Sequence, residues 1–171
     1  MNFMADLKAK VAVKSPIALL KTFLLSHTFH LVLLIRLGAF FRSSVPFVGG
    51  AAGLLIEYII RVVYASDISC QAKIGPGFNL MHGHDIVIGS GVIIGERCKI
   101  FNGVTLGNKD TETSEVQQPC IGDDVVIGTG AKLLGRVKIG NGSTIGANSV
   151  VITDVPPNSI AIGVPARTIK K

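Results

Sequence analysis

The sequence contains no tryptophan and few aromatic residues of any kind. Aromatic residues make up 6% of its 171 residues, whereas hydrophobic residues as a group make up 48%. The apolar material is therefore mainly isoleucine, valine, leucine and alanine, which favours stacked aliphatic side chains over a core built around rings. Glycine occurs 20 times, which indicates many tight turns. The length fits one domain, or one domain with an appended segment.

Cysteine is also scarce, and the three present follow no recognisable pattern. Cys70, Cys98 and Cys120 form no CxxC pair and no Cys/His spacing. We therefore expect neither a disulfide framework nor a metal site, and a reducing compartment is the simpler interpretation. Residues 1–14 are mixed in charge and show no apolar run ending in a cleavage site, so we expect no signal peptide and a cytoplasmic protein.

Acidic residues are rare in the first third of the chain. Up to Tyr64 there are two of them, Asp6 and Glu57, against seven basic residues, a balance of +5 within a total formal charge of +6. The basic residues are scattered and accompany no recognition motif, so the sequence does not favour nucleic-acid binding. Attraction to an anionic membrane surface or polyanion fits better. The seven are Lys8, Lys10, Lys14, Lys21, Arg36, Arg42 and Arg61.

Long uninterrupted apolar runs are absent from this N-terminal region, residues 1–65. Its uncharged stretches, 22–35 and 43–56, are shorter than the roughly 18 residues that a spanning helix needs. The pattern predicts two helices, at about 16–41 and 53–64, separated by a break rich in serine, proline and glycine. We favour a helical cap on the following domain or on a partner subunit; the alternative is a peripheral anchor on the inner face of a membrane.

Aliphatic residues recur every six positions in the second region, residues 66–171. Glycine often follows them directly, and a two-residue slip separates Leu80 from Ile88. A long α-helix would give intervals of three and four, and a simple strand would alternate every two. The pattern predicts short strands joined at corners, three hexads to a triangular coil and about four coils of parallel β-helix. The series is Ile68, Ile74, Leu80, Ile88, Ile94, Ile100, Leu106, Ile121, Ile127, Leu133, Ile139, Ile145 and Val151.

Several short motifs in this region resemble the hexapeptide-repeat acyltransferases. They include His82 after Leu80-Met81, the segments 86–89, 103–107, 128–132 and 145–147, and the ending 163–167. The likeness is strongest to serine O-acetyltransferases and to shorter relatives that acetylate polysaccharide sugars, such as the colanic-acid type. It implies a mainly β, left-handed parallel β-helix after a short helical region, and a homotrimer with sites between subunits. It also implies acetyl transfer from acetyl-CoA to a hydroxyl.

The resemblance assigns the catalytic positions. His82 occupies the position of the general base, within the slip where a side chain can leave the regular coil. A neutral imidazole suits this role because its pKa lies near the working pH. Asp67 matches the acidic partner that fixes the imidazole tautomer, and it precedes His82 by nearly one coil. His84 is a further candidate for acceptor binding. His27 and His30, in the apolar region, are expected to be structural.

The resemblance also suggests where CoA would bind. The backbone near Thr129 and Ala147 matches the segments that meet the CoA arm. The polar segment 108–119 interrupts the repeat, and a loop of this length without its own structure is often functional. Lys109 and Arg167 could each favour a CoA phosphate, although a merely solvated charge is at least as good an interpretation of Lys109. The cofactor-binding candidates are Gly107, Asn108, Lys109, Thr129, Ala147 and Arg167.

Three positions differ from the serine acetyltransferase pattern. Met81 replaces an aspartate before the base, and Gln117-Gln118 replace Arg-His before Pro119. The missing charges suit a zwitterionic amino acid, whereas glutamine suits sugar hydroxyls. We therefore expect the acceptor to be a sugar of a capsular polysaccharide, exopolysaccharide or related glycan, bound near Met81, Gln117 and Gln118. Serine O-acetyltransferase is the alternative, and a non-catalytic β-helix scaffold is the second alternative.

Overall fold

The described part of the chain forms four α-helices followed by fifteen short β-strands. The computed structural model describes residues 3–11, 15–110 and 117–170. The helices are α1 (Phe3–Lys10), α2 (Pro16–Leu25), α3 (His27–Ser44) and α4 (Gly49–Tyr64). The strands are β1 (Asp67–Ile68), β2 (Lys73–Ile74), β3 (Asn79–Leu80), β4 (Val87–Ile88), β5 (Ile93–Ile94), β6 (Lys99–Ile100), β7 (Thr105–Gly107), β8 (Cys120–Ile121), β9 (Val126–Ile127), β10 (Lys132–Leu134), β11 (Lys138–Ile139), β12 (Thr144–Ile145), β13 (Val150–Val151), β14 (Ser159–Gly163) and β15 (Ala166–Lys170).

The strands stack into three sheets, which form the three faces of a prism. Sheet A has the order β1-β4-β7-β10-β13, sheet B the order β11-β8-β5-β2, and sheet C the order β15-β14-β12-β9-β6-β3. All neighbours are parallel except β14 and β15, which form an antiparallel hairpin. Four full turns are followed by a partial fifth, made by β13, a bridge from Val155 to Ile139, and β14. The predicted left-handed β-helix with an N-terminal helical region is confirmed.

The repeated aliphatic side chains point into the prism. Twelve of the thirteen are buried, and the remaining one, Ile74 in the first turn, is partly buried against the same core. A second buried ladder lies two positions before the first and includes Val92, Cys98, Val104, Val125, Ala131 and Val137. Burial raises the pKa of the Cys98 thiol to about 11, so it is protonated at neutral pH and contributes as a small apolar group.

The corner that leads from sheet C into sheet A requires a left-handed backbone conformation in each turn. Asp85 (φ 56°), Gly103 (φ 70°), Gly130 (φ 73°) and Asn148 (φ 55°) occupy equivalent positions there. Glycine, asparagine and aspartate tolerate this region better than other residues do. The left-handed backbone at this corner therefore explains why glycine, asparagine or aspartate occupies the position in each turn.

The helical region differs from the sequence prediction. The prediction of a single helix over 16–41 is wrong. The helix is interrupted at Ser26, where φ is −83° and ψ is 103°. The Ser26 hydroxyl accepts a hydrogen bond from the Phe29 N–H at 3.3 Å and so starts a new helix. The second predicted helix begins earlier, at Gly49, and α1 was not predicted. Among the described residues no single helix has the length and apolarity to span a bilayer; α2 and α3 together do, but a 75° bend separates them.

Arg36 and Asp6 join the helices to the open end of the first turn. The first turn has no coil beneath it, so its outward backbone groups need other partners. The Arg36 guanidinium donates to the carbonyls of Ile74 and Gly75, the latter at 2.6 Å. Asp6 holds that guanidinium at 2.9 Å and also accepts from the Phe78 N–H at 3.0 Å. Both charged side chains are largely removed from solvent.

Lys10 and Glu57 also bind backbone groups at this end of the prism. The Lys10 ammonium donates to the Leu80 carbonyl, and burial lowers the pKa of this lysine to about 8. The Glu57 carboxylate accepts from the Cys70 N–H at 2.7 Å. Side chains from α1, α3 and α4 thus replace the missing coil.

Replacing Asp6 by alanine should destabilise the protein strongly. The change leaves the Arg36 guanidinium buried without its counter-charge and the Phe78 N–H without its acceptor. We expect the free energy of unfolding to fall by about 3–5 kcal/mol, measured by urea denaturation followed by circular dichroism. The matched control is Glu96→Ala, which removes an exposed partner of Arg97 at a position with no left-handed backbone. Its urea midpoint should stay close to that of the unchanged protein; equal effects of the two substitutions would contradict this account.

Candidate functional site

The predicted slip lies at the corner between sheets C and A. Asp67 on β1 pairs with Val87 on β4, twenty positions later, whereas Val87 pairs with Thr105 on β7, eighteen positions later. The two additional residues fall in the segment 81–86, between β3 and β4. This segment therefore bulges from an otherwise regular corner.

Gly83 anchors the bulge on the helices. It is buried, and a Cβ at this position would lie 3.1 Å from Leu31 Cδ2 and 3.6 Å from Tyr64 Cδ1. Because Gly83 faces inward, its neighbours His82 and His84 are exposed. The His82 ring lies against the next turn, with its centroid 6.4 Å from that of Phe101. The slip thus places two imidazoles at the surface beside the helical region.

The corner above the histidines carries two of the predicted CoA residues. His84, Asn102, Thr129 and Ala147 occupy equivalent positions in successive turns, and the Thr129 hydroxyl lies 3.3 Å from Asn102 Oδ1. Thr129 and Ala147 are exposed. One edge of the prism therefore brings together His82, His84 and these two residues. The turns are joined by backbone hydrogen bonds from Gly103 N to His84 O (3.3 Å), from Gly130 N to Asn102 O (2.9 Å) and from Asn148 N to Thr129 O (2.8 Å).

Asp67 lies beside the bulge. Its N–H donates to the Ile86 carbonyl at 2.8 Å, and the Asp85 N–H donates to the Ala65 carbonyl at 3.0 Å. The strand that begins with Asp67 therefore runs alongside the end of the bulge. Asp67 is thus a neighbour of the segment 81–86, and the catalytic roles of Asp67 and His82 stay predictions.

The Asp67 carboxylate is paired with Arg61, from the last turn of α4. Arg61 Nη2 lies 2.6 Å from Asp67 Oδ1, and both side chains are exposed. The hydrogen bond to Asp67, reinforced by its charge, raises the pKa of Arg61. Among the described residues Asp67 has no hydrogen bond to His82. Sequence reasoning missed Arg61 because its only signal is a position six residues before Asp67, across the end of a helix.

Other CoA candidates lie on the opposite edge of sheet A. The Gly135 N–H donates to the Gly107 carbonyl at 2.9 Å, and the Lys109 Cβ lies 3.1 Å from where a Gly135 Cβ would be. Asn108 lies between Gly107 and Lys109 in the sequence. Gly107, Asn108 and Lys109 thus face Thr129 and Ala147 across the outer surface of sheet A.

Lys132 adds a cation to that surface. Its ammonium donates to the Gly103 carbonyl at 2.6 Å and to the Thr105 hydroxyl at 3.1 Å. The sequence includes Lys132 in a motif, but nothing there shows that its side chain lies on the outer face of sheet A. The two edges and this face together form an extended surface.

The remaining predicted residues are more widely separated. Arg167 is exposed on β15, opposite Ile162 in the terminal hairpin. Gln118 Oε1 accepts from the Gly91 N–H at 2.8 Å, so its side chain supports a neighbouring turn. Gln117 is half-buried next to it, and Met81 is exposed beside His82. Residues 111–116 of the predicted loop 108–119 lie outside the described residues.

Comparison with known proteins supports the hexapeptide assignment. The family described as bacterial transferase hexapeptide (six repeats) matches residues 121–153. Among curated proteins, serine acetyltransferase 4 from Arabidopsis thaliana is 40% identical over 116 residues, which cover 68% of this chain and 32% of the relative. The chain thus spans about a third of the length of this curated relative.

Solved structures match nearly the whole chain. Soybean serine acetyltransferase complexed with serine is 34% identical, with a TM-score of 0.86, over 98% of this chain and 68% of the other. Serine acetyltransferase from Brucella abortus in complex with coenzyme A is 30% identical, with a TM-score of 0.84, over 99% of this chain and 66% of the other. Since the matches cover 98% and 99% of this chain, they include its N-terminal helices.

These relatives overturn the predicted acceptor. A sugar of a polysaccharide was expected because Met81, Gln117 and Gln118 replace charged residues. The relatives and structural neighbours are serine acetyltransferases, so the prediction of a glycan acceptor is wrong. The physical reason is visible at Gln118, whose side chain hydrogen-bonds the Gly91 backbone. A side chain occupied in this way is weak evidence about the acceptor.

Proposed function

The chain belongs to the hexapeptide-repeat transferase family and is related to the serine acetyltransferases, and on this premise we propose that it transfers acetyl from acetyl-CoA to the serine hydroxyl. The observation that carries the proposal is the match to a serine-bound structure over 98% of the chain. A non-catalytic scaffold would not require two exposed histidines at the slip. The products are O-acetylserine and CoA.

His82 acts as the general base in this proposal. Its neutral imidazole takes the proton from the serine hydroxyl as the oxygen attacks the thioester carbonyl carbon. A tetrahedral oxyanion forms and is stabilised by backbone N–H groups of the site. When it collapses, the C–S bond breaks, and the imidazolium returns the proton to the CoA sulfur.

Asp67 and Arg61 act through the histidine. A carboxylate near His82 stabilises the imidazolium that exists only during transfer. Arg61 Nη2 holds one carboxylate oxygen of Asp67, Oδ1, at 2.6 Å. Arg61 is thus a positioning residue for Asp67. Its own position is fixed because α4 is attached to the first turn through Glu57.

The outer surface of sheet A is the proposed CoA surface. Thr129 and Ala147 line one edge, Gly107 and Asn108 line the other, and the Lys132 cation lies between them. Exposed backbone at these corners suits an extended ligand that runs along the prism. The exposed Lys109 and Arg167 could pair with CoA phosphates.

The decisive experiment measures CoA thiol release from acetyl-CoA by the purified protein with L-serine. We expect release to depend on serine, and His82→Ala to lower kcat/KM by about 10²–10⁴-fold because the base is lost. The matched control is His30→Ala, since the His30 ring lies 2.7 Å from the Phe23 carbonyl in the helical region. Release that is independent of serine would contradict the acceptor. An unchanged rate in His82→Ala would contradict the base.

Met81 provides a test of how the acceptor is held. Serine carries an ammonium group, and a carboxylate beside His82 would attract it. We expect Met81→Asp to lower the KM for serine by about two- to fivefold, the size of an exposed ion pair, with kcat little changed. Met81→Asn is the matched control without charge and should leave KM unchanged. Equal KM values for the two variants would show that the ammonium lies elsewhere.

A homotrimer with sites between subunits is part of the proposal. Its support is an apolar face on α4, where Leu54, Leu55, Tyr58 and Val62 are 59–64% exposed. Arg61 lies on the same side of α4 and binds Asp67, so a subunit packed there would adjoin the site. The open surface of sheet A would likewise gain a second wall from a neighbouring subunit.

Sedimentation equilibrium tests the assembly. The wild-type protein should have a mass of three 18.0 kDa chains. Leu55→Glu with Val62→Glu should give monomers with reduced activity, because two carboxylates would be buried at the contact. The control is Leu20→Glu on α2, which should leave the mass unchanged. A wild-type monomer with full activity would contradict a shared site.

A further inference from the structure

Helix α2 presents an apolar face that the other described residues leave uncovered. None of its residues is buried, and Ile17 (81%), Leu20 (59%), Leu24 (58%) and Leu25 (71%) are strongly exposed. Their positions, together with Lys21, follow the i, i+3, i+4, i+7, i+8 spacing of one helical face. We call Ile17, Leu20, Lys21, Leu24 and Leu25 the outer face of α2.

The opposite side of α2 is firmly attached. The Phe23 ring packs on the edges of the Phe3 and Phe29 rings, with centroids 5.9 and 6.1 Å apart. The Phe23 carbonyl lies 2.7 Å from the His30 ring, and the Ser15 hydroxyl accepts from the Ala18 N–H at 3.1 Å. The outer face is therefore held outward by structure, and is not a consequence of a loosely attached helix.

The sequence that contains this face is poor in acidic residues. The sequence contains no aspartate or glutamate between Leu7 and Ile56. The acidic residues on either side of that stretch, Asp6 and Glu57, are bound to Arg36 and to the Cys70 backbone. The stretch itself contains four lysines and two arginines, of which Lys8 and Lys21 are exposed on α1 and α2. The described helices α2 and α3 carry no carboxylate, so an anionic partner on the outer face would meet Lys21 without a competing charge from these two helices.

Lys21 distinguishes a bilayer from a protein partner. It lies in the middle of the outer face, between Ile17 and Leu24 on the helical surface. Lysine is depleted at the centre of protein interfaces, where its charge would lose water. At a bilayer surface its long stem lies along the apolar groups while the ammonium reaches the headgroups. A lysine at this place therefore suits lipid better than a second copy of the chain.

We propose that α2 is an interfacial helix that docks the protein on an anionic bilayer surface. Ile17, Leu20, Leu24 and Leu25 enter the boundary between headgroups and acyl chains, and Lys21 pairs with lipid phosphate. The net positive charge of the chain, +6, adds electrostatic attraction. The helix lies in the plane of the surface and does not cross the bilayer.

Vesicle co-sedimentation tests the proposal with the full-length protein. The lipids are phosphatidylcholine alone and phosphatidylcholine mixed with phosphatidylglycerol. We expect binding to the mixed vesicles, weaker binding to phosphatidylcholine alone, and release at high salt. Leu20→Glu with Leu24→Glu should lower the partition coefficient by at least about tenfold. Lys21→Gln, which preserves the apolar face, should lower it by about fivefold.

The matched control is Val164→Glu with Ile169→Glu, which places the same two charges on exposed apolar positions of the terminal hairpin. It should bind vesicles as the wild-type protein does. Equal binding to both lipid compositions, or unchanged binding in the α2 variants, would overturn the proposal. Absence of wild-type binding, with a change of sedimenting mass in the Leu20/Leu24 variant, would also overturn it and would identify a second copy as the occupant. These outcomes are independent of serine acetylation.

Discussion

The structure depends on satisfying the backbone at the first turn of the β-helix. Every later turn rests on the one before it, but the first has none beneath, and its carbonyls and N–H groups would otherwise remain without partners. Charged side chains solve this problem: Arg36 and Lys10 donate to carbonyls, while Asp6 and Glu57 accept from N–H groups. A charge can satisfy several backbone groups at once, which explains why the few acidic residues of the helical region are buried or bound. The helices therefore contribute directly to the stability of the β-helix.

The candidate site lies at this capped end, where regularity is lost. The two-residue slip can bulge outward because Gly83 rests on Leu31 and Tyr64 of the helices. The same contact directs His82 and His84 to the surface, and α4 supplies the Arg61 that holds Asp67. The position of the site residues is therefore fixed by two parts of the structure. Backbone hydrogen bonds between successive turns hold the corner, and contacts with α3 and α4 hold the bulge and Asp67.

The repeat predicts the fold well because each inward aliphatic residue performs the same task in every turn. The second buried ladder was not predicted because its members, such as Cys98, Val104 and Ala131, are all buried but differ in residue type, so they form no visible sequence repeat. The break at Ser26 was missed since apolar residues continue on both sides of it, and only a hydrogen bond to the Phe29 N–H ends one helix and begins another. The acceptor was misjudged for a related reason. The sequence argument relied on the lack of charge at Gln118, whereas the Gln118 side chain accepts a hydrogen bond from the Gly91 N–H, a contact that depends on tertiary structure.

The cap of the first turn has a consequence for how the chain is made. Asp6, Lys10, Arg36 and Glu57 all precede the backbone groups that they bind, which lie between Cys70 and Leu80. During synthesis from the N-terminus, the helices leave the ribosome before the strands do, so the first turn emerges with its partners already available. Each following turn then finds a finished edge on which to pair. The β-helix can grow in the direction of translation, and its N-terminal edge need never be exposed to other nascent chains.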